Sequence, residues 1–222
     1  MSNFDKRNGI LALTIASCIV MATVETIIEP AYMVKSVIKA IVFLLLPLAV
    51  LKIFRINPTA NSFALRRKNI IALFLLGVFI YLFILGAYKL TGNLFDYSSL
   101  VMSLSEDQQV DSHSFVRVAL YISFCNSFLE EFMFRFMSFI QLSAYTSRKT
   151  AYLFSSIMFA LYHVAMIGPS FPVRLLILAL FGLAAGGLIF DFIDAKYGNF
   201  YPSWIVHMFA DFALMTIWYI HI

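Results

Sequence analysis

Seven runs of about twenty largely apolar residues follow one another through this chain, and that series limits the fold more than any other feature. The hydrocarbon layer of a bilayer is about 30 Å thick, and a helix needs about 20 such residues to cross it. By that measure the spans fall roughly at 9–28, 33–54, 69–89, 115–142, 150–168, 173–191 and 202–220. Composition points the same way: 62% of the 222 residues are hydrophobic and 13% are charged, against about 45–50% and about 25% in an ordinary soluble domain. A soluble fold of this size has too little interior to hide that much apolar surface. The expected fold class is all-α, a polytopic membrane helix bundle of about seven transmembrane helices forming a single membrane domain over residues 1–222.

Charge placement gives topology rather than a nucleic-acid partner. The net charge is +4, but the basic residues sit at the ends of apolar runs: Lys6-Arg7, Lys52 and Arg55, Arg66-Arg67-Lys68 and Arg148-Lys149. No basic stripe interleaved with aromatics is present. The positive-inside rule puts these clusters, and with them the N-terminus, in the cytoplasm and the acidic loop around Glu106, Asp107 and Asp111 outside. An odd number of spans puts the C-terminus outside as well. The first apolar run follows Lys6-Arg7 in the manner of a signal peptide, but no small-residue cleavage site comes after it, so it reads as a retained helix. In the second span, Lys35 and Lys39 must snorkel or pair with Glu25 or Glu29. Leu94 to Leu104 reads as a segment lying on the membrane surface. Gly182 and Gly186 read as a small-residue face for close helix packing, Pro47 as a kink, and Pro169, Pro172 and Pro202 as helix-end punctuation. Cys18 and Cys125 read as small core residues, and His113 and His221 are assigned no role. Asp191, Asp194 and Lys196 read as interfacial.

The informative residues are ionisable groups inside apolar helices. The fourth span contains Asn126-Ser127-Phe128-Leu129-Glu130-Glu131-Phe132-Met133-Phe134-Arg135. One charge at a helix centre costs about 2.5–3.5 kcal/mol, so three within six residues cost on the order of 10 kcal/mol before pairing. Glu131 and Arg135 share a face one turn apart, acid before base, and form a supporting ion pair. Glu130 points about 100° away around the helix. It lacks that partner and is free to act as a base, with Asn126 one turn before it. The fifth span places His163 after Phe159, and the last places His207 one turn before Asp211. In lipid each of these needs a polar partner, and they supply one another.

With these residues the chain resembles the CPBP family of intramembrane endopeptidases, the type II CAAX prenyl protease and bacteriocin-processing (Abi-like) group. The family motifs Glu-Glu-x-x-x-Arg, Phe-x-x-x-His and His-x-x-x-Asn or Asp appear here in order as Glu130-Glu131 to Arg135, Phe159 to His163, and His207 to Asp211. The resemblance covers 115–220, the family's catalytic core, and leaves 1–114 as variable N-terminal helices. It implies that Glu130 and His163 activate water, and that His207 and Asp211 stabilise the oxyanion. An ionised Asp211 only accepts hydrogen bonds, so it either orients and charges His207, leaving His207 as the donor, or stays protonated. Zinc on Glu130, His163, His207 and Asp211 is the alternative chemistry; metal-independent glutamate chemistry, with no cofactor, is favoured.

The expected function is therefore hydrolysis of a peptide bond in a membrane-embedded or lipid-modified protein or peptide, in a prokaryotic cell membrane. The expected partners are that substrate and the bilayer, with no nucleic acid. The alternatives are an ion- or proton-coupled transporter and a non-catalytic bacteriocin-immunity protein on the same fold.

Overall fold

The computed structural model describes residues 2–58, 63, 70–108 and 113–221, and every regular element among them is helical. In chain order these are α1 (Asn3–Ile28), α2 (Tyr32–Ile53), α3 (Ile70–Thr91), α4 (Tyr97–Gln108), α5 (115–141), α6 (Arg148–Ile167), α7 (Val173–Tyr197) and α8 (Tyr201–His221). Six of them, all but α4 and α5, are long and apolar enough to cross a membrane. Large apolar side chains on their outer faces, such as Ile19, Ile71, Phe83 and Phe181, are more than half exposed, as a lipid-facing surface requires. The protein is an integral membrane helix bundle.

One of the seven expected spans, the fourth, is the exception, and its reason is chemical. The 115–141 helix is long enough to cross, but Arg117, Glu130, Glu131 and Arg135 take it below the apolarity of the other six. It forms the centre of the bundle. Every residue from Leu129 to Phe139 is buried, and α1, α2, α6, α7 and α8 all pack on it. Its turns widen to π geometry over Tyr121–Asn126 and again over Phe132–Gln141, leaving Ser127–Glu131 as α-helix between them. Such π turns often accompany functional sites. In α2 the widening at Ile41–Leu45 has a plain cause. Pro47 lacks the N–H that would bond the Phe43 carbonyl, and the Leu46 N–H reaches back five residues to Ile41 instead.

The basic clusters gather at one end of the bundle. The Lys6 ammonium lies 5.5 Å from the Tyr145 ring, three residues before Arg148. Gly9 lies against the ring of Phe54, beside Arg55. The Arg66-Arg67-Lys68 part of the expected pattern, and Asp111, lie outside the described residues. At the other end Glu25, Glu29 and Glu106 line one cavity. The segment expected on the membrane surface is the helix α4, which packs on α8: Val101 is buried with Met215 and Trp218, and the Trp218 Nε1–H donates to Ser105 Oγ at 2.9 Å. Cys18 is buried as expected, whereas Cys125 is exposed.

The close helix approach falls at a different glycine from the pair the sequence suggested. Gly182 and Gly186 have open space where a Cβ would stand, whereas a Cβ on Gly187 would stand 2.9 Å from that of Ser156 on α6. Gly187→Val is therefore expected to destabilise the bundle by about 1–3 kcal/mol through overpacking, with Gly182→Val close to neutral, read as thermal unfolding midpoints in detergent. Equal effects of the two would refute the packing assignment.

Candidate active site

Five helices bring polar and ionisable groups to one place near the middle of α5. The side chains are Lys39 from α2, Asn126, Glu130, Glu131 and Arg135 from α5, His163 from α6, Asp191 from α7, and His207 and Asp211 from α8. All except Asn126 and His163 are buried, and His163 keeps only 15% of its side chain exposed.

Glu130 has two differently occupied oxygens. Its Oε1 accepts from Lys39 Nζ at 2.6 Å and from Asn126 Nδ2 at 3.0 Å. Its Oε2 faces two imidazoles, with His163 Nε2 at 3.7 Å and His207 Nε2 at 3.8 Å. Those separations are too long for direct hydrogen bonds and suit a shared small molecule between the groups. Glu130 is thus not the partnerless carboxylate that the spacing on α5 suggested. The partner comes from α2, and Lys39 pairs with Glu130, not with Glu25 or Glu29. Lys35 does pair with Glu25, at 2.9 Å. Lys39 is the residue that reading the sequence missed. A lysine inside an apolar span was the available signal.

Each histidine is oriented through Nδ1. In His163 that nitrogen lies 2.7 Å from the Phe159 carbonyl. A carbonyl only accepts, so Nδ1 carries the proton and, in the neutral ring, Nε2 is the bare nitrogen turned to Glu130. In His207, Nδ1 lies 2.8 Å from Glu131 Oε1. Glu131 therefore orients His207, a role expected of Asp211. Asp211 approaches the same ring from its other side, Oδ1 to Nε2 at 3.6 Å, and its Oδ2 makes no hydrogen bond among the described residues.

Arg135 lies behind this layer. Its Nε is 3.3 Å from Glu131 Oε2 and 3.8 Å from Asp191 Oδ1, yet none of its nitrogens makes a hydrogen bond among the described residues. Charge and stacking hold it instead, with the guanidinium carbon 4.1 Å from the Phe159 ring centre and 5.0 Å from that of Phe190. Phe159 thus orients His163 through its carbonyl and carries Arg135 on its ring.

Asp191 and Asp194, read from the sequence as interfacial, are both fully buried within the bundle. Asp191 accepts from Ser155 Oγ at 2.9 Å. Asp194 accepts from the Ser203 N–H at 3.1 Å and its Oγ at 2.7 Å, capping the first turn of α8 from α7. Of the two unassigned histidines, His221 meets Tyr88 Oη at 2.8 Å.

Lys39, Asn126, Glu130, His163 and Asp211 line a cavity of about 360 Å³. Leu100, Val101 and Leu104 from α4 and Met215 and Trp218 from α8 give it an apolar wall. A second cavity of about 290 Å³, lined by Glu25, Glu29, Lys35 and Glu106, adjoins it through shared Glu25, Tyr32 and Lys35. As to metals, no group of three His, Cys, Asp or Glu side chains among the described residues is arranged to hold one.

Residues 112–213 match the model of the Rce1-like family of type II CAAX prenyl endopeptidases. The match spans α5 to α7 and most of α8, and so includes all three motifs, while α1 to α4 lie outside it. At family level it supports a membrane endopeptidase acting on a protein or peptide. No curated protein and no solved structure matches the chain.

Arg135→Met leaves Glu131 and Asp191 buried beside each other without their cation. It is expected to cost about 3–5 kcal/mol, measured as a fall in the thermal unfolding midpoint in detergent. Arg135→Lys should recover only part of this, because an ammonium does not fill the slot between Phe159 and Phe190 as a planar group does. Full recovery by lysine would contradict the stacking account.

Proposed function

We propose that this protein is a CAAX-protease-like intramembrane endopeptidase that uses water activated by Glu130 and His163. The observation carrying this reading is the convergence of both histidine Nε2 atoms on the one Glu130 oxygen that no hydrogen bond occupies, at 3.7 Å and 3.8 Å. A water placed there donates one hydrogen to Glu130 Oε2 and the other to His163 Nε2, leaving an oxygen lone pair free to attack a carbonyl carbon. As the O–C bond forms, the water's proton passes to Glu130. As the C–N bond breaks, that proton goes to the leaving nitrogen. His207, as an imidazolium held at Nδ1 by Glu131, presents its Nε2–H to the developing oxyanion. Asp211 then stabilises the charge on His207 or, protonated, donates a second hydrogen bond.

The ammonium of Lys39 on Glu130 favours this chemistry over a zinc-dependent one. A cation already 2.6 Å from the carboxylate repels a divalent ion that would need the same group. The apolar wall suits a membrane-embedded or lipid-modified peptide. The adjoining polar cavity offers water a way in. The gathering of basic residues at the end holding the N-terminus supports a cytoplasmic N-terminus, and we place the protein in a prokaryotic cell membrane.

Glu130→Gln is expected to insert and unfold like the wild type while losing cleavage of membrane peptides bearing a lipidated cysteine near the C-terminus. His163→Ala should lower the rate by about 10²–10⁴. A zinc chelator should leave the wild-type rate unchanged. Substantial cleavage by Glu130→Gln, or proton or ion flux in proteoliposomes without any cleavage, would overturn the reading in favour of another base or of a transporter.

A further inference from the structure

We infer that Lys39, on a helix outside the family match, is a positioning residue that keeps Glu130 ionised and turned so that Oε2, not Oε1, meets the water. Both side chains are almost completely buried, Glu130 at 1% and Lys39 at 4% exposure. An unpaired carboxylate in such surroundings takes up a proton rather than hold a charge, and a protonated Glu130 accepts none from water. The ammonium is well suited to prevent this. It lies 2.6 Å from Oε1, Asn126 Oδ1 accepts from it as well, and the rings of Tyr162 and Phe43 stand 4.9 Å and 5.5 Å away. Four partners thus hold one cation in one place.

The geometry also divides labour within the carboxylate. Lys39 and Asn126 both donate to Oε1, so that oxygen's acceptor sites are taken and the carboxylate cannot rotate freely. Oε2 is left for the reacting water. His163 Nε2 and His207 Nε2 face Glu130 Oε2, Tyr121, Tyr162 and Asp211 share its cavity, and Glu131 lies behind on His207. Neither histidine replaces Lys39: His163 meets the water as a neutral ring, and the charge of His207 is held by Glu131 at 2.8 Å and faces Asp211 at 3.6 Å while standing 3.8 Å from Glu130. The α2 helix thereby becomes part of the site.

The inference rests on Glu130 being the base, but its test does not need a substrate. Infrared spectra of the purified protein in detergent report protonated carboxyl groups directly, and subtracting the matching Glu130→Gln spectrum isolates the Glu130 band. At neutral pH the wild type is expected to show no such band. Lys39→Met should show it, with the protonated fraction raised roughly tenfold or more, and the band should vanish in Lys39→Met/Glu130→Gln. Lys39→Arg, which restores a cation, should again lack it. Absence of the band in folded Lys39→Met overturns the inference. If Lys39→Met does not fold, the wild type decides: a Glu130 band confined to strongly acidic pH supports the inference, and one present at neutral pH overturns it. Loss of cleavage in Lys39→Met with partial return in Lys39→Arg would link the charge to the reaction. If Glu130→Gln still cleaves while the infrared result holds, the proposed base is wrong and the ion pair stands.

Discussion

A charge enclosed by a hydrocarbon-facing bundle has to find its counter-charge within a few ångströms, and the core of this protein is arranged around that requirement. Lys39 answers Glu130 and Arg135 answers Glu131 and Asp191. These contacts cross from α2 to α5, along α5, and from α5 to α7. Each helix therefore takes its place partly because an ion on its neighbour would otherwise be unpaired. Hydrophobic burial contributes less to helix association in lipid than in water, since lipid tails are themselves apolar. Buried polar contacts then carry more of the specificity.

The same arrangement suits the proposed chemistry. A general base needs one free oxygen and a fixed orientation, and a histidine needs one nitrogen tied down so that the other points usefully. Glu130 has its Oε1 held by two donors, and His163 and His207 each have Nδ1 held by an acceptor, the Phe159 carbonyl in one case and Glu131 in the other. What remains unsatisfied by hydrogen bonds faces inward: Oε2 of Glu130 and two Nε2 atoms. The ion pairs and caps behind them, from Arg135 to Asp194, keep those three atoms in register.

Much of this was legible in the chain. Runs of twenty apolar residues announced the helices because the bilayer sets their length. Charges inside those runs announced the site because lipid makes them costly. Spacing on one helix also put Glu130 and Glu131 on different faces. It could not find the partner of Glu130, since Lys39 lies 91 residues away and only the approach of α2 to α5 joins them. For the same reason Asp191 and Asp194 read as interfacial: a position near a helix end says nothing about which neighbour covers it. Gly187 was passed over for Gly182 and Gly186 because a small residue in sequence shows that close approach is allowed, not where it happens.

The sequence by itself determined that this is a membrane helix bundle, and it singled out carboxylates and histidines that the structure brings together. Both follow from local rules: apolar length against bilayer thickness, and the cost of an ion in hydrocarbon. Only the tertiary structure decided which ion answers which, which nitrogen of each ring is free, and that α2 completes the pocket. Those depend on distances between helices, and charge–charge energies change steeply over the few ångströms that sequence spacing leaves open.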